Sequence, residues 1–318
     1  MTLAEAFSRF LQALVTLFLV SFLVYVLIGL MPGDPIDLML AGNPRMTPED
    51  AARLRALYGL DQPLYLRYFR WLSAAVQGDL GYSRLYNLPV PQVIFPRFLN
   101  TGILLGLSLF CTAVLAVPLG VLAARKEGSF TDKSINVFCL AGISVPAFWL
   151  GLLLIALFAV TLGWLPAGAS LSGSFGENAQ SLVLPVSTLT LASLAVYIRH
   201  LRAAMSDALR ADHIRTARAK GCSVSRTVWR HAFRSALPPV VTIFMLDLGM
   251  LFSGALTIET VFGFPGMGKL MFDAVMGNDY NLALTGFLVL TFFVILANFA
   301  ADFLYTVLDP RVSYGRKA

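Results

Sequence analysis

Six stretches of this chain stay apolar for about 20 residues, the length a helix needs to cross roughly 30 Å of hydrocarbon, and nothing else in it restricts the fold as strongly. They run approximately over Phe10–Met31, Leu99–Ala123, Ile135–Leu162, Leu182–Leu201, Val240–Ile258 and Leu282–Leu308. The fifth contains Asp247 and the sixth Asp302, so these two are weaker on hydropathy alone. Lipid offers no water to unpaired amides and carbonyls, so only helices and closed barrels can span it. None of the six alternates apolar and polar residues as a barrel strand does, which leaves helices. With 57% hydrophobic and 13% charged residues and a mean hydropathy of +0.73, most of the chain has lipid as its solvent. The expected fold is an all-α polytopic membrane protein with six transmembrane helices.

Lys and Arg set the orientation. With the N-terminus inside, the cytoplasmic pieces are the stub with Arg9, the Arg125–Ser134 loop, the Arg199–Arg234 loop, and the tail with Arg311, Arg316 and Lys317. These pieces hold 16 of the 24 basic residues, and the two shorter outer loops carry only Lys269. That asymmetry is what the positive-inside rule requires, and it places both termini in the cytoplasm. The Pro32–Phe98 loop has seven Arg against six acids, but loops of this size obey the rule poorly. The first apolar run exceeds a signal-peptide core and is followed by no small-x-small site, so a retained helix is expected. Cys111, Cys139 and Cys222 form no paired framework; they read as packing residues, with Cys222 a reduced cytoplasmic thiol.

The chain therefore divides into a stub and first helix (1–31), an extracytoplasmic insertion (32–98), a core of helices two to six (99–308) with a cytoplasmic loop at 202–238, and a tail (309–318). Within the insertion, Thr47-Pro48-Glu49-Asp50 supplies an N-cap, a proline at N1 and an acid at N3, predicting a helix to about Tyr58. Leu64, Tyr68, Trp71, Leu72 and Ala75 mark a second amphipathic helix, which reads as a lid or scaffold ahead of a docking site. Gly102 and Gly106, with Gly142 and Gly151, predict close helix packing. Pro118, Pro146 and Pro185 interrupt spans, as kinks do both beside transport pathways and in inert bundles.

Catalytic chemistry finds little support. Gly263-Phe264-Pro265-Gly266-Met267-Gly268-Lys269 imitates a phosphate-binding loop, but Leu270 stands where the magnesium hydroxyl belongs and Pro265 removes a cradling amide. His200, His213 and His231 have no metal-ligand spacing, and a nucleophile elbow is missing. No catalytic residue, metal ligand or cofactor is therefore assigned to this chain. Asp247 and Asp302 each cost at least about 2.5 kcal/mol in hydrocarbon unless they find water or a partner. Two readings stand for them: they reach the interface or neighbouring donors, or they line a polar-solute path.

Nine of the 24 cations lie between Arg199 and Arg234, against only Asp207 and Asp212. Nucleic acid is a poor partner for a membrane-tethered loop with no aromatic stacking platform. A solvated loop that merely fixes topology is one reading. The other is a docking element, with a helix from Asp207 to Lys220, a turn at Gly221, and a second helix from Val224 to Ala236 ended by Pro238 and Pro239. A short helix on a rigid stem pulls both flanking spans when its receptor moves.

At this loop the sequence resembles the permease subunits of binding-protein-dependent ATP-binding-cassette importers, in the dipeptide/oligopeptide/nickel branch. The resemblance covers nearly the whole chain: Met31-Pro32-Gly33-Asp34-Pro35, Tyr58-Gly59-Leu60-Asp61-Gln62-Pro63-Leu64, Gly78-Asp79-Leu80-Gly81-Tyr82-Ser83, Ile143 to Gly151 with Pro146 at its centre, Thr216-Ala217-Arg218-Ala219-Lys220-Gly221, Arg230-His231-Ala232-Phe233-Arg234, Glu259 to Gly268, and Asp309-Pro310-Arg311. It implies a type I importer permease fold in a bacterial inner membrane, with a coupling motif over 216–221 seated in a groove of a cytoplasmic ATPase. It further implies a paralogous second permease, two ATPase subunits that bind ATP and magnesium, and an extracytoplasmic solute-binding protein. The general motif opens Glu-Ala-Ala, whereas here Thr216-Ala217-Arg218-Ala219 stands, so an acidic contact to the ATPase does not carry over. Asp247 stands where a neutral residue is expected. A self-sufficient secondary transporter or channel is the alternative, and it predicts an internal repeat that the sequence does not display.

Overall fold

The structure, a computed structural model, describes residues 3–30, 36, 47–57 and 61–308, with the backbone alone at 3–7, 9–10, 48, 51, 54, 57, 245–254 and 301–308. Helices dominate: α1 Leu3–Gly29, α2 Pro48–Leu57, α3 Leu64–Val76, α4 Val90–Arg125, α5 Phe130–Ser144, α6 Ala147–Leu154 with a π-helical continuation Ile155–Thr161, α7 Phe175–Arg210, α8 Asp212–Ala219, α9 Phe233–Val261, α10 Met267–Met276 and α11 Tyr280–Leu308. A two-residue hairpin, β1 Tyr82–Ser83 against β2 Leu88–Pro89, precedes α4. By contacts the chain divides into Met1–Leu99 with Lys269–Ile295, and Asn100–Gly268 with Leu296–Ala318.

In the first unit, α3 lies on α1 through Tyr68, which is fully buried. Its hydroxyl sits 2.7 Å from Ser21 Oγ, and the rings of Phe18, Phe22 and Tyr25 meet it edge-on. A buried phenol needs such a partner, and Ser21 supplies it. The helix expected at Thr47 is present: Thr47 Oγ1 accepts from the Asp50 amide at 3.2 Å, and Asp50 accepts from the Thr47 amide at 3.1 Å. Asp279 joins the hairpin to α11, accepting from Ser83 Oγ at 2.6 Å and from the Leu85 and Leu282 amides.

The second unit is organised on α7. Its buried residues, from Ser181 to Ala208, run through three successive clusters, with Leu104, Ile258 and Phe262 around Leu184 and Leu189; Ala116 and Cys139 around Ala195 and Ile198; and Val121, Ile214, Val228 and Ala232 around Leu201 and Met205. In lipid, burial gains little over exposure to acyl chains, so these contacts hold by close packing and by bonds such as Thr190 Oγ1 to the Ser108 carbonyl at 3.2 Å. Gly142 and Gly151 take part, since a Cβ there would stand 3.4 Å from Ala195 and 3.2 Å from Phe262. Gly102 and Gly106 do not, having no atom within 4 Å of that position.

Three expectations require correction. The third span is not one helix: α5 and the α6 stretch meet at 98°. Pro146 disfavours helical backbone at Val145, which is extended at φ −95° and ψ 121°, and the helix restarts with Pro146 at its N-cap. Pro238 and Pro239 do not end a helix; they lie inside α9, continuous with the helical turns Val224–Arg226 and Thr227–Ala232 before it. The carbonyls that lose their amide partners belong to Arg234 and Ser235, both exposed residues, while Ala232 and Ala236 bury their methyls in the α7 cluster. Nor is Asp207–Lys220 a single helix, because Ala211, at ψ 149°, breaks it.

Among the described residues, four helices are long and apolar enough to span a membrane, five if the bent pair is one span. The remaining expected span, Val240–Ile258, falls in α9 across residues whose side chains lie outside those described.

Candidate coupling site

The break at Ala211 turns α8 back on its own stem. Ile214 becomes fully buried in the cluster of Val121, Met205, Ala208, Val228 and Ala232, and Ala217 is nearly fully buried beside it on the same helix. A straight continuation of α7 would carry Ile214 away from that cluster, which is why the helix does not run through. The other end is closed by a Schellman motif. The Cys222 amide donates to the Ala217 carbonyl at 3.2 Å and the Gly221 amide to the Arg218 carbonyl at 2.9 Å. Gly221 makes this possible at φ +81°, where a Cβ would be strained. Ser223 then caps the next helical turn, accepting from the Arg226 amide.

These two anchors leave one face outward. Of the motif read from the sequence, Thr216, Arg218, Ala219, Lys220 and Gly221 are exposed, and only Ala217 faces inward. Arg215 joins the exposed set with only a 3.5 Å, solvent-exposed pairing to Asp212. The face is cationic, short-chained at Ala219 and Gly221, and held on the bases of α4, α7 and the helix leading into α9. His213 Nε2 lies 3.2 Å from Ser235 Oγ, a further tie to α9. Val224 and Trp229, also exposed in this polar segment, were missed in reading the loop for charge alone. Replacing Ile214 with Ala costs about 2–5 kcal/mol of local packing. Amide exchange across 212–221 is expected to accelerate while exchange in α7 holds; unchanged exchange would show that Ile214 anchors nothing.

The other candidates scatter. Pro146 sits at the bend between α5 and α6. Asp247 and Asp302 fall on α9 and α11, with side chains outside the described residues. Lys269, the lysine of the imitation phosphate loop, points instead to Asp273 at 2.6 Å on α10.

Residues 116–314 fit the family described as binding-protein-dependent transport system inner membrane component, and residues 3–96 fit its N-terminal membrane component. The chain belongs to this permease family. The oligopeptide transport system permease protein AppB of Bacillus subtilis is 36% identical over 316 residues, covering 98% of this chain and 99% of its own. The di/tripeptide transport system permease protein DppB of Pseudomonas aeruginosa is 38% identical, covering 95% of this chain and 96% of its own. The glutathione transport system permease protein GsiC of Escherichia coli K12 is 38% identical, covering 96% and 98%. The permease is thus a multi-pass membrane protein with a transport role, and its family implies ATPase and solute-binding partners.

Proposed function

We propose that this chain is one of two paralogous permease subunits of an ATP-driven importer for peptides or a related small solute, nickel included among the alternatives. The named cargoes of the oligopeptide, di/tripeptide and glutathione relatives support the peptide reading. The proposed assembly adds two cytoplasmic ATPases, which bind the ATP and magnesium, and an extracytoplasmic solute-binding protein. This polypeptide catalyses nothing itself. It crosses a bacterial inner membrane six times in a type I importer fold with both termini inside, and residues 32–98 form the extracytoplasmic insertion. Its divisions are 1–31, 32–98, 99–308 and 309–318, with the coupling loop at 202–238.

The observation that carries this reading is the outward face of α8. It is anchored through Ile214 to α4, α7 and α9, so force applied there reaches all three. Closure of the ATPases on ATP moves Thr216–Gly221, the spans rearrange to open the path outward, and hydrolysis restores the inward-facing state. Pro146 supplies a bend that can change, and Asp247 and Asp302 are the candidate polar groups along the path. Ala217 acts from inside, seating the helix, while Arg215, Arg218 and Lys220 meet the ATPase, whose groove is complementary if it is acidic.

Neutralising Arg215, Arg218 and Lys220 to Gln tests the face. Exposed pairs contribute roughly 0.5–1 kcal/mol each at low salt, so ATPase affinity should fall about tenfold to a hundredfold in the triple variant. Added salt should erase most of the difference. Equal affinity of variant and wild type at low salt would place docking elsewhere.

A further inference from the structure

The stem of the coupling segment is also tied to a part of the chain that is remote in sequence. Arg202, Ser206 and Arg210 stand four residues apart on one face of α7. Arg202 bonds to the first turn of α5, and Ser206 and Arg210 bond to the turn between α4 and α5. Arg202 meets Asp132 through a two-point fork, Nε to Oδ1 at 2.6 Å and Nη2 to Oδ2 at 2.8 Å. The Asp132 carboxylate also accepts from the Gly128 amide at 2.9 Å and from Asn136 Nδ2 at 2.8 Å, and its side chain is 4% exposed. Gly128, at φ +78°, lets the turn curl far enough to present that amide. One turn and two turns further along α7, Ser206 Oγ and Arg210 Nη2 bond the two oxygens of Glu127 at 2.8 and 2.7 Å. The Ser206 hydroxyl, and after it Arg210, hold the Glu127 carboxyl below the usual carboxylate range, so it is ionised at neutral pH.

Transport as proposed above uses the packing of α8 against α4, α7 and α9, and this clasp adds a link to α5. We infer that Asp132 and Arg202, supported by Glu127, Ser206 and Arg210, are positioning residues that deliver movement of the coupling segment to α5. Three features support this assignment over a plain surface ion pair. The fork fixes two directions at once, so α5 cannot slide on α7 without breaking both bonds. Met205, which lies between Arg202 and Ser206 along α7, belongs to the cluster that buries Ile214, so the coupling helix rests on the clasped stretch of the stem. Asp132 lies in the first turn of α5, and the other end of α5 is the 98° bend at Pro146. The Glu127–Arg210 pair is far more exposed, at 42% and 68%, and is the auxiliary member.

The inference rests on the coupling reading, and the test separates the two. In the reconstituted complex with ATPases, second permease and binding protein, Arg202→Lys keeps the charge but loses the fork. Asp132→Asn with Arg202→Gln leaves a neutral pair that leaves no charge buried alone. Both are expected to assemble with wild-type basal ATP turnover, while solute imported per ATP falls about twofold to thirtyfold, the range seen for residues that transmit coupling. If either variant does not assemble, the other decides. A wild-type import-to-ATP ratio in the assembled variants, with only a lower melting temperature, makes the clasp a stability feature and overturns the inference. If Gly221→Pro uncouples in the same assay while the clasp variants do not, the clasp alone fails. If Gly221→Pro also keeps the wild-type ratio, the coupling reading fails first.

Discussion

Gly221→Pro is expected to give a complex that inserts and assembles but whose ATP turnover no longer responds to loaded binding protein. Gly221 holds φ +81°, and proline is fixed near −65°. The substitution also removes the amide that donates to the Arg218 carbonyl. Proline cannot adopt that φ, so the turn must rebuild, and the lost hydrogen bond alone costs about 1 kcal/mol. An eight-residue helix such as α8 has little intrinsic stability to offset that, and it depends on its two anchors. The damage stays local, because Gly221 is exposed and touches no span. Gly221→Ala, strained but keeping its amide, should lie between proline and wild type. Full stimulation in the proline variant would contradict the role given to this turn.

Gly268→Ala is expected to cost substantial stability, because among the described glycines an added methyl meets backbone most closely there. A Cβ there would stand 2.5 Å from Leu256 Cα and 2.8 Å from its amide nitrogen. Backbone cannot rotate aside as a side chain does, so α9 and the start of α10 must separate. The turn between them is already pinned: Asn100 Nδ2 donates to the Pro265 carbonyl at 2.8 Å, and Thr101 Oγ1 accepts from the Met267 amide at 2.7 Å while donating to the buried Glu259 at 2.5 Å. Overpacking costs typically 1–3 kcal/mol, and the rigid surroundings put this case at the upper end. Thermal unfolding in detergent should show a clear drop for Gly268→Ala and none for Gly176→Ala, whose Cβ position is empty. Equal melting of the two would mean that the turn is looser than its bonds indicate.

The parts of this molecule legible in sequence are those with a local cause. The long apolar runs, the Thr47 cap, the amphipathic spacing from Leu64 to Ala75 and the Gly221 turn each arise from neighbouring residues, and helices or turns stand at each. Where packing between distant segments decides, reading the loop was misleading. Ala211 carries no breaker signal, yet the helix breaks there because Ile214 gains a buried site on α4 and α7. Pro238 and Pro239 are strong breaker signals, yet α9 runs through them, with Arg234 and Ser235 exposed on one side and Ala236 buried in the α7 cluster on the other. The Asp132–Arg202 fork joins residues 70 positions apart, and neither has a local pattern that announces the other. The outward cationic face was legible in charge, but the inward turn of Ala217 was not, since it follows from how the burial of Ile214 seats α8.

The central claim, that α8 is where an ATPase grips this permease, is tested most directly by cross-linking. With Cys111, Cys139 and Cys222 replaced by Ser, Ala219→Cys places a thiol on the exposed face of α8 without disturbing its anchors. A short bifunctional reagent applied to the assembled complex should join this permease to an ATPase subunit, with a yield that changes when ATP is bound. A cysteine at Phe175, exposed at the opposite end of α7, should give no such product. Cross-linking from Phe175 but not from Ala219, or a residue 219 thiol labelled only from outside the membrane, would contradict the account.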